Sequence, residues 1–218
     1  MIYDTVIFDL DGTLLNTLED IKDSVNFALM EFSFPTKSII EVRKHVGNGA
    51  QHLMKQMVPN NTNPEVLNQC FQSYQQHYAL NSQNKTKPYD GVLHLLNQLK
   101  EKKLKLAVVS NKFDSSVKSL CRDYFADYIQ IAIGESPNVA RKPAPDSVYT
   151  VIRDLNADKN KVIYVGDSDV DVYTAHNAGI PCIGVTWGFR EREVLENAGA
   201  DFIIDKPEEL MDCLSHNR

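Results

Sequence analysis

The chain is expected to adopt an α/β fold, a doubly wound and mostly parallel sheet with an all-helical segment inserted after its first strand. Three observations predict this. A short apolar run near the start ends in Asp9-Leu10-Asp11-Gly12, strand-like and helix-like runs alternate from Val92 onward, and residues 17–86 carry helical periodicity alone. Alternating helix and strand signals are the pattern of a parallel sheet covered by helices.

Val6, Ile7 and Phe8 form a continuous apolar run of β-formers, suited to a strand buried on both faces and ending near Asp9. Residues two apart on an extended chain project to the same side, so Asp9 and Asp11 face one small volume beyond the strand, and Gly12 permits a tight turn there. Two carboxylates about 5 Å apart repel by roughly 3 kcal/mol at an effective dielectric of about 20. No Lys, Arg or His lies close in sequence to offset this. A divalent cation or a shared proton resolves it. A bare D-x-D is also common as a solvated turn, so the longer context has to decide.

Thr17 with Asp20 is read as a helix-capping signal, followed by Leu18, Ile21, Val25, Ala28, Leu29 and Phe32 on one helical face and by Pro35 as the stop. Ile39, Ile40 and Val42 begin a short second helix. Ala50, Leu53, Met54 and Met57 mark a third, and Val66, Cys70, Phe71, Tyr74 and Tyr78 a fourth. The polar stretch from Asn81 to Lys87, ended by Pro88, and the short link from Leu15 to Thr17 provide two adjacent connections to the body. The expected division is a core domain of residues 1–16 and 87–218 and a hinged helical cap of residues 17–86. In the second half, Val92, Leu95, Leu96 and Leu99 form a helical stripe before a strand from Leu104 to Val109. Further strands are expected at Tyr128 to Ile133, Lys161 to Val165, Cys182 to Val185 and Asp201 to Ile204. Ligands of such sheets sit beyond the carboxyl ends of the strands where strand order reverses, which is where the first acidic pair lies.

With 218 residues and 43% hydrophobic content the chain can bury a proper core. A net charge of -6 and a pI near 5.5 argue against a nucleic-acid or acidic-membrane surface and leave small anionic substrates open. Cys70, Cys121, Cys182 and Cys213 are scattered without a C-x-x-C pair, so reduced thiols and a cytoplasmic location are expected. No run reaches transmembrane length and no leader-like segment precedes the first strand, so a soluble, untargeted protein is expected.

Three further segments carry chemistry. The strand ending at Val109 delivers Ser110 and Asn111, able to donate to a phosphate oxygen but equally common as turn formers and caps. Arg141-Lys142-Pro143-Ala144-Pro145-Asp146 presents a lysine on a segment that its prolines are expected to hold extended, before a helix striped by Val148, Val151, Ile152 and Leu155. Gly166-Asp167-Ser168-Asp169-Val170-Asp171 places three carboxylates within five residues, ahead of a helix that ends at Gly179. One or two acids suit a helix first turn without any function, whereas three call for a cation.

Together, D-L-D-G-T after an apolar strand, Ser110-Asn111, K-P-x-P-D and G-D-S-x-x-D resemble the four motifs of the haloacid dehalogenase superfamily, whose commonest members are aspartate-nucleophile phosphatases. The resemblance covers the whole chain and implies a Rossmann-like core with a cap. It implies Asp9 as nucleophile, Asp11 as acid and base, Lys142 as the offset to phosphoryl charge, and Thr13, Ser110 and Asn111 as phosphate contacts. Magnesium would be held by Asp9, the backbone carbonyl of Asp11 and Asp167, with Asp171 beside the metal and the lysine. Asp11 also argues against carbon–halogen cleavage, because a halide leaves without a proton and the dehalogenase branch lacks this acid.

Specificity is expected from the cap. Arg43-Lys44-His45-Val46-Gly47-Asn48-Gly49-Ala50 reads first as a helix–helix turn using two glycines, and V-G-N-G-A is similar to the cap loop of bacterial phosphoglycolate phosphatases. Arg43, Gly47, Asn48 and Gly49 are therefore the cap candidates, with Arg43 expected to meet a small carboxylate. Gly184-Val185-Thr186-Trp187-Gly188 resembles the same group, although Trp187 is also a packing residue by type. The implied substrate is 2-phosphoglycolate, a small phosphorylated metabolite, handled by a monomer or homodimer. A pyrophosphatase, a broad sugar-phosphate phosphatase or a phosphosugar mutase of the β-phosphoglucomutase kind shares the body motifs. A phospho-signalling receiver also uses acids, magnesium, a hydroxyl residue and a lysine, but the helical insertion and the D-L-D-G-T acid/base oppose it.

Overall fold

The computed structural model describes residues 1–137 and 139–215. Thr5–Phe8 form strand β1, all four residues buried, and a two-residue strand β2 follows at Leu15–Asn16. Four helices come next: α1 (Leu18–Glu31), α2 (Ile39–Arg43), α3 (Ala50–Met57) and α4 (Pro64–Asn81). Strand β3 (Lys87–Pro88) runs antiparallel to β2, with Leu15 opposite Pro88 and Asn16 opposite Lys87. The entry to and exit from the helical insertion thus form one narrow ribbon.

From there helix and strand alternate: α5 (Val92–Glu101), β4 (Lys105–Phe113), α6 (Asp114–Phe125), β5 (Ile131–Glu135), α7 (Asp146–Asp154), β6 (Val162–Gly166), α8 (Asp169–Ala178), β7 (Cys182–Val185), α9 (Arg192–Ala198), β8 (Phe202–Ile204) and α10 (Leu210–Cys213). The six-stranded sheet has the order β5-β4-β1-β6-β7-β8, and every pairing in it is parallel. β1 sits between β4 and β6, so strand order reverses beside it. Parallel strands buried on both faces need apolar side chains at every position, which Val6, Ile7 and Phe8 provide. Val6 and Phe8 join the cluster under α5 and α6, whereas Ile7 packs with Val148, Val172 and Ala175 on the opposite face.

The insertion buries its own cluster, including Val25, Leu29, Leu53, Met54, Cys70 and Tyr74, and it borrows Phe189 from the body. The stripes of α1, α3 and α4 turn mainly into this cluster, whereas in α2 only Val42 does and Ile39 and Ile40 are exposed. All four cysteines are free. Among the described residues no helix is long and apolar enough to cross a membrane.

Several expectations about local structure are corrected. β4 continues to Phe113 instead of stopping at Val109: Ser110, Asn111 and Lys112 are buried, and Asn111 and Lys112 find polar partners in Gly47 O, Lys142 O and the Asp11 carboxylate. Its register slips between Val109 and Phe113. β5 begins at Ile131, later than the expected Tyr128, since Tyr128 and Ile129 close the end of α6 by donating to Phe125 O. Asp20 does not cap α1. Its carboxylate accepts instead from Lys85 N, Thr86 N and Thr86 Oγ1, while the Thr17 hydroxyl is buried without a hydrogen-bond partner. The proline segment is a turn and not extended: Lys142–Pro143 is cis, and Ala144 N donates to Arg141 O at 3.0 Å.

Candidate active site

The strands on either side of the reversal each deliver part of the site. Asp9 follows β1, Ser110, Asn111 and Lys112 are the polar end of β4, and Asp167 follows β6. Asp9, Asp167 and Asp171 are buried, and each offers a carboxylate oxygen within 4.8 Å of the other two. Asp171 arrives from the first turn of α8, where its Oδ2 accepts from Ser168 Oγ at 2.6 Å and from Ser168 N at 3.1 Å, a capping box. Lys142 enters from the loop before α7 with Nζ 2.7 Å from Asp171 Oδ1 and 3.0 Å from Asp9 Oδ1. It also donates to Tyr164 Oη at 3.1 Å, and that hydroxyl donates to Val109 O at 2.9 Å.

Gly12 and Gly188 let the backbone crowd Asp167. A Cβ on Gly12, whose φ is +86°, would strike the Asp167 carboxylate, and one on Gly188 would strike both Asp167 and Gly12 O. Phe189 N donates to Asp167 Oδ2 at 2.7 Å, and Thr13 Oγ1 donates to Oδ1 at 3.3 Å.

Of these three buried carboxylates, Asp9 and Asp171 share the Lys142 ammonium, and Asp167 is held by Phe189 N and Thr13 Oγ1. Burial pushes the Asp9 carboxyl up to about 7; Lys142 pulls against this, and the charges of Asp171 and Asp11 add to the rise. Asp167 is pushed well above the usual carboxylate range by burial and then by Asp171 and Asp9, with the Phe189 N–H and Arg190 opposing. Burial works against the charge on Lys142, yet Asp171 and Asp9 hold its ammonium well above the ordinary lysine range. Asp9 Oδ1, although close to Lys142, has no aligned hydrogen-bond partner. A hard divalent cation fits this set of oxygen donors and its surplus negative charge.

Asp11 lies on the other side of the site. Lys112 Nζ donates to its Oδ1 at 2.8 Å and its Oδ2 at 2.9 Å, and sits 4.5 Å from the centre of the Tyr78 ring. The acidic pair has a cation apiece, neither close to it in sequence: Lys142 for Asp9, Lys112 for Asp11. Asp9, Asp11, Ser110, Asn111 and Lys112 line one cleft, which residues of α1, α3 and α4 and the loop before α3 close from above.

A model of the haloacid dehalogenase-like hydrolases matches residues 6–185. The chain belongs to this family. Among curated proteins it is 33% identical over 216 residues to a phosphoglycolate phosphatase of Haemophilus influenzae strain 86-028NP, covering 95% of this chain and 96% of that one. It is 31% identical over 212 residues to the phosphoglycolate phosphatase of Mannheimia succiniciproducens, covering 94% and 95%. The crystal structure of a predicted phosphoglycolate phosphatase from Haemophilus somnus 129PT matches with a TM-score of 0.91 at 27% identity, covering 98% of each chain.

In this haloacid dehalogenase-like hydrolase, of the residues singled out from the sequence, Asp9, Asp11, Ser110, Asn111, Gly47 and Gly49 line the cleft, and Lys142, Asp167 and Asp171 cluster about Asp9. Thr13 is buried against Asp167, outside the lining of the cleft. The loop residues are joined to the body mainly through backbone: Asn111 Nδ2 donates to Gly47 O at 3.0 Å, Arg141 Nη1 donates to Asn48 O at 3.1 Å, and the Arg141 guanidinium fills the space beside Gly49. Arg43 does not line the cleft. Its Nη2 donates to Gly188 O at 3.1 Å and pairs with Glu191 at 3.3 Å, so its charge is engaged at the body. Trp187 does more than pack, since its Nε1 donates to Thr13 O at 3.0 Å.

Sequence reasoning missed Lys112 and Arg190. Lys112 had a usable signal, as the residue directly after Ser110-Asn111 at the carboxyl end of a central strand. Arg190, which donates to Arg43 O at 2.9 Å and Val46 O at 2.7 Å, had none, because its partners are carbonyls far away in the chain.

Proposed function

We propose that this hydrolase is a magnesium-dependent phosphomonoesterase that uses Asp9 as nucleophile and converts 2-phosphoglycolate to glycolate and phosphate. The observation that carries the chemistry is the buried group of Asp9, Asp167 and Asp171 with Lys142 Nζ 3.0 Å from Asp9 Oδ1, at the point where strand order reverses. The substrate is taken from relatives named phosphoglycolate phosphatase that share about 30% identity over nearly the whole chain.

Asp9, the backbone carbonyl of Asp11 and Asp167 are assigned to hold the magnesium ion, with Asp171 in support. When bound there, the cation offsets the charge of the phosphoryl oxygens and of the carboxylates around them. Asp9 attacks phosphorus in line, and its new O–P bond forms as the ester O–P bond breaks, leaving an aspartyl-phosphate. Asp11 gives a proton to the departing alkoxide. It then takes a proton from the water that attacks phosphorus, which releases phosphate and restores Asp9. Lys142, fixed by Asp171, keeps a positive charge beside the nucleophile and the transferring group. Ser110, Asn111 and Thr13 are assigned to the phosphate side, Thr13 by steadying Asp167.

Residues 17–86 are assigned as a cap that closes over the leaving group and excludes water, and residues 1–16 and 87–218 as the core. Gly47, Asn48 and Gly49 belong to the loop that meets the body. Arg43 is assigned to anchoring that loop, in place of the carboxylate contact expected from the sequence.

The test is phosphate release with magnesium from 2-phosphoglycolate, pyrophosphate, glucose 1-phosphate and p-nitrophenyl phosphate. A kcat/KM for 2-phosphoglycolate at least about tenfold above the others is expected, equivalent to about 1.4 kcal/mol of transition-state preference. Uniformly weak hydrolysis would remove 2-phosphoglycolate as the substrate.

A further inference from the structure

We infer that Lys112 is the specificity-determining residue of the cleft, binding an anionic group carried on the leaving group one or two atoms beyond the ester oxygen. The inference rests on the phosphatase reading above and concerns the part of the substrate that the four body motifs do not recognise.

The two lysines of the site lie on different acids. Lys142 contacts Asp9 and Asp171, on the side of the nucleophile, whereas Lys112 contacts both oxygens of Asp11, the group assigned to protonate the ester oxygen. Lys112 is therefore on the leaving-group side, one carboxylate away from the bond that breaks. An ammonium has three N–H donors. Two go to Asp11, which leaves one for a ligand.

Lys112 is also in an unusual setting for a lysine. Its side chain is only 5% exposed, it lies over the Tyr78 ring, and it lines the cleft. Tyr78 lines the same cleft, and its hydroxyl is buried with no hydrogen-bond partner. A buried phenol without a partner costs free energy that a ligand acceptor recovers. The surrounding wall is apolar, with Ile21, Val46, Leu53 and Phe113. A small cleft with one poised ammonium, one unpartnered hydroxyl and apolar walls suits a short leaving group ending in a carboxylate. Arg43, the cation expected for this task, is engaged with Gly188 O and Glu191.

The experiment compares kcat/KM for 2-phosphoglycolate and for 2-hydroxyethyl phosphate, which replaces the carboxylate by a neutral alcohol, in wild type, Lys112→Met and Lys112→Arg. Wild type is expected to prefer the carboxylate ester. Lys112→Met should lower that preference about a hundredfold, the scale of a charge-assisted hydrogen bond in a desolvated site, mainly through KM for 2-phosphoglycolate. Lys112→Arg should recover part of it. An equal fall for both esters would show that Lys112 only positions Asp11 and would overturn the inference, while leaving the phosphatase reading in place. Wild type with no preference between the esters would overturn the inference together with the 2-phosphoglycolate assignment. No phosphate release from any ester would overturn the function itself. Calorimetry in the Asp9→Asn background gives a readout independent of turnover: adding Lys112→Met should weaken 2-phosphoglycolate binding at least about tenfold more than 2-hydroxyethyl phosphate binding, and equal weakening of both contradicts the inference.

Discussion

Lys142 Nζ lies 2.7 Å from Asp171 Oδ1, and both side chains are buried. Asp171 is in turn held by Ser168 N and Oγ, so the capping box of α8 fixes the carboxylate that fixes the lysine. Asp171→Asn keeps the shape and removes the charge. It is expected to lower kcat by about 10- to 100-fold, the usual effect of losing an outer partner in such a site, with a smaller change in KM. Steady-state kinetics check this, and a kcat within about twofold of wild type would contradict the role given to Asp171.

The metal-free site should titrate in an unusual direction. Burial lifts the Asp9 carboxyl from an ordinary value of 3.8 to about 7, so between those values the folded protein binds a proton that the unfolded chain has released. Stability from this group is therefore full below the lower value and is lost as pH rises through the upper one. With magnesium removed by chelation, Tm should fall between about pH 5 and about pH 8, and Asp9→Asn should flatten that slope. Restoring magnesium, which competes with the proton, should raise Tm more at the higher pH. An equal gain at both pH values would contradict the assignment of Asp9 as a ligand.

The sheet was legible because parallel strands buried on both faces must be apolar throughout, as Val6 to Phe8 and Cys182 to Val185 are. The order of the site was legible for the same reason: an acidic or polar cluster directly after such a run has to lie at the carboxyl edge. What escaped was the pairing of charges across the sheet. Lys112 answers Asp11 over a separation of 101 residues, and nothing local in either segment announces the other. The same holds for Asp20, whose spacing from Thr17 imitates a capping box while its carboxylate serves the exit connection. Arg43 misled for the opposite reason, since a basic residue beside a glycine loop carries no sign of whether its charge faces ligand or body.

Asp20 accepts from Lys85 N, Thr86 N and Thr86 Oγ1 while only 2% exposed, so it ties α1 to the segment that leads into β3. Asp20→Ala leaves those donors buried and unpaired. Urea denaturation should show a loss of about 2–4 kcal/mol, and a loss under about 0.5 kcal/mol would contradict the account of this connection.

Gly12 and Gly199 both have positive φ, at +86° and +84°, but only Gly12 faces Asp167; beside Gly199 the nearest atom to an added Cβ is His176 Cε1 at 3.9 Å. Gly199→Ala should therefore cost about 1 kcal/mol of stability from backbone strain and leave activity alone. Gly12→Ala should displace Asp167, raise the magnesium concentration needed for half-maximal activity by at least about tenfold and lower kcat. Equal behaviour of the two variants in a magnesium titration would contradict the close packing of the loop on Asp167.

The central claim is that the Asp9 carboxylate forms the bond to phosphorus. Phosphate release from 2-phosphoglycolate with magnesium, measured for wild type and for Asp9→Asn of matching thermal stability, tests it most directly. The account predicts steady release by wild type and a fall of at least about a thousandfold in the variant, as expected when a nucleophile is removed. An Asp9→Asn protein that keeps more than about a tenth of the wild-type kcat would contradict it.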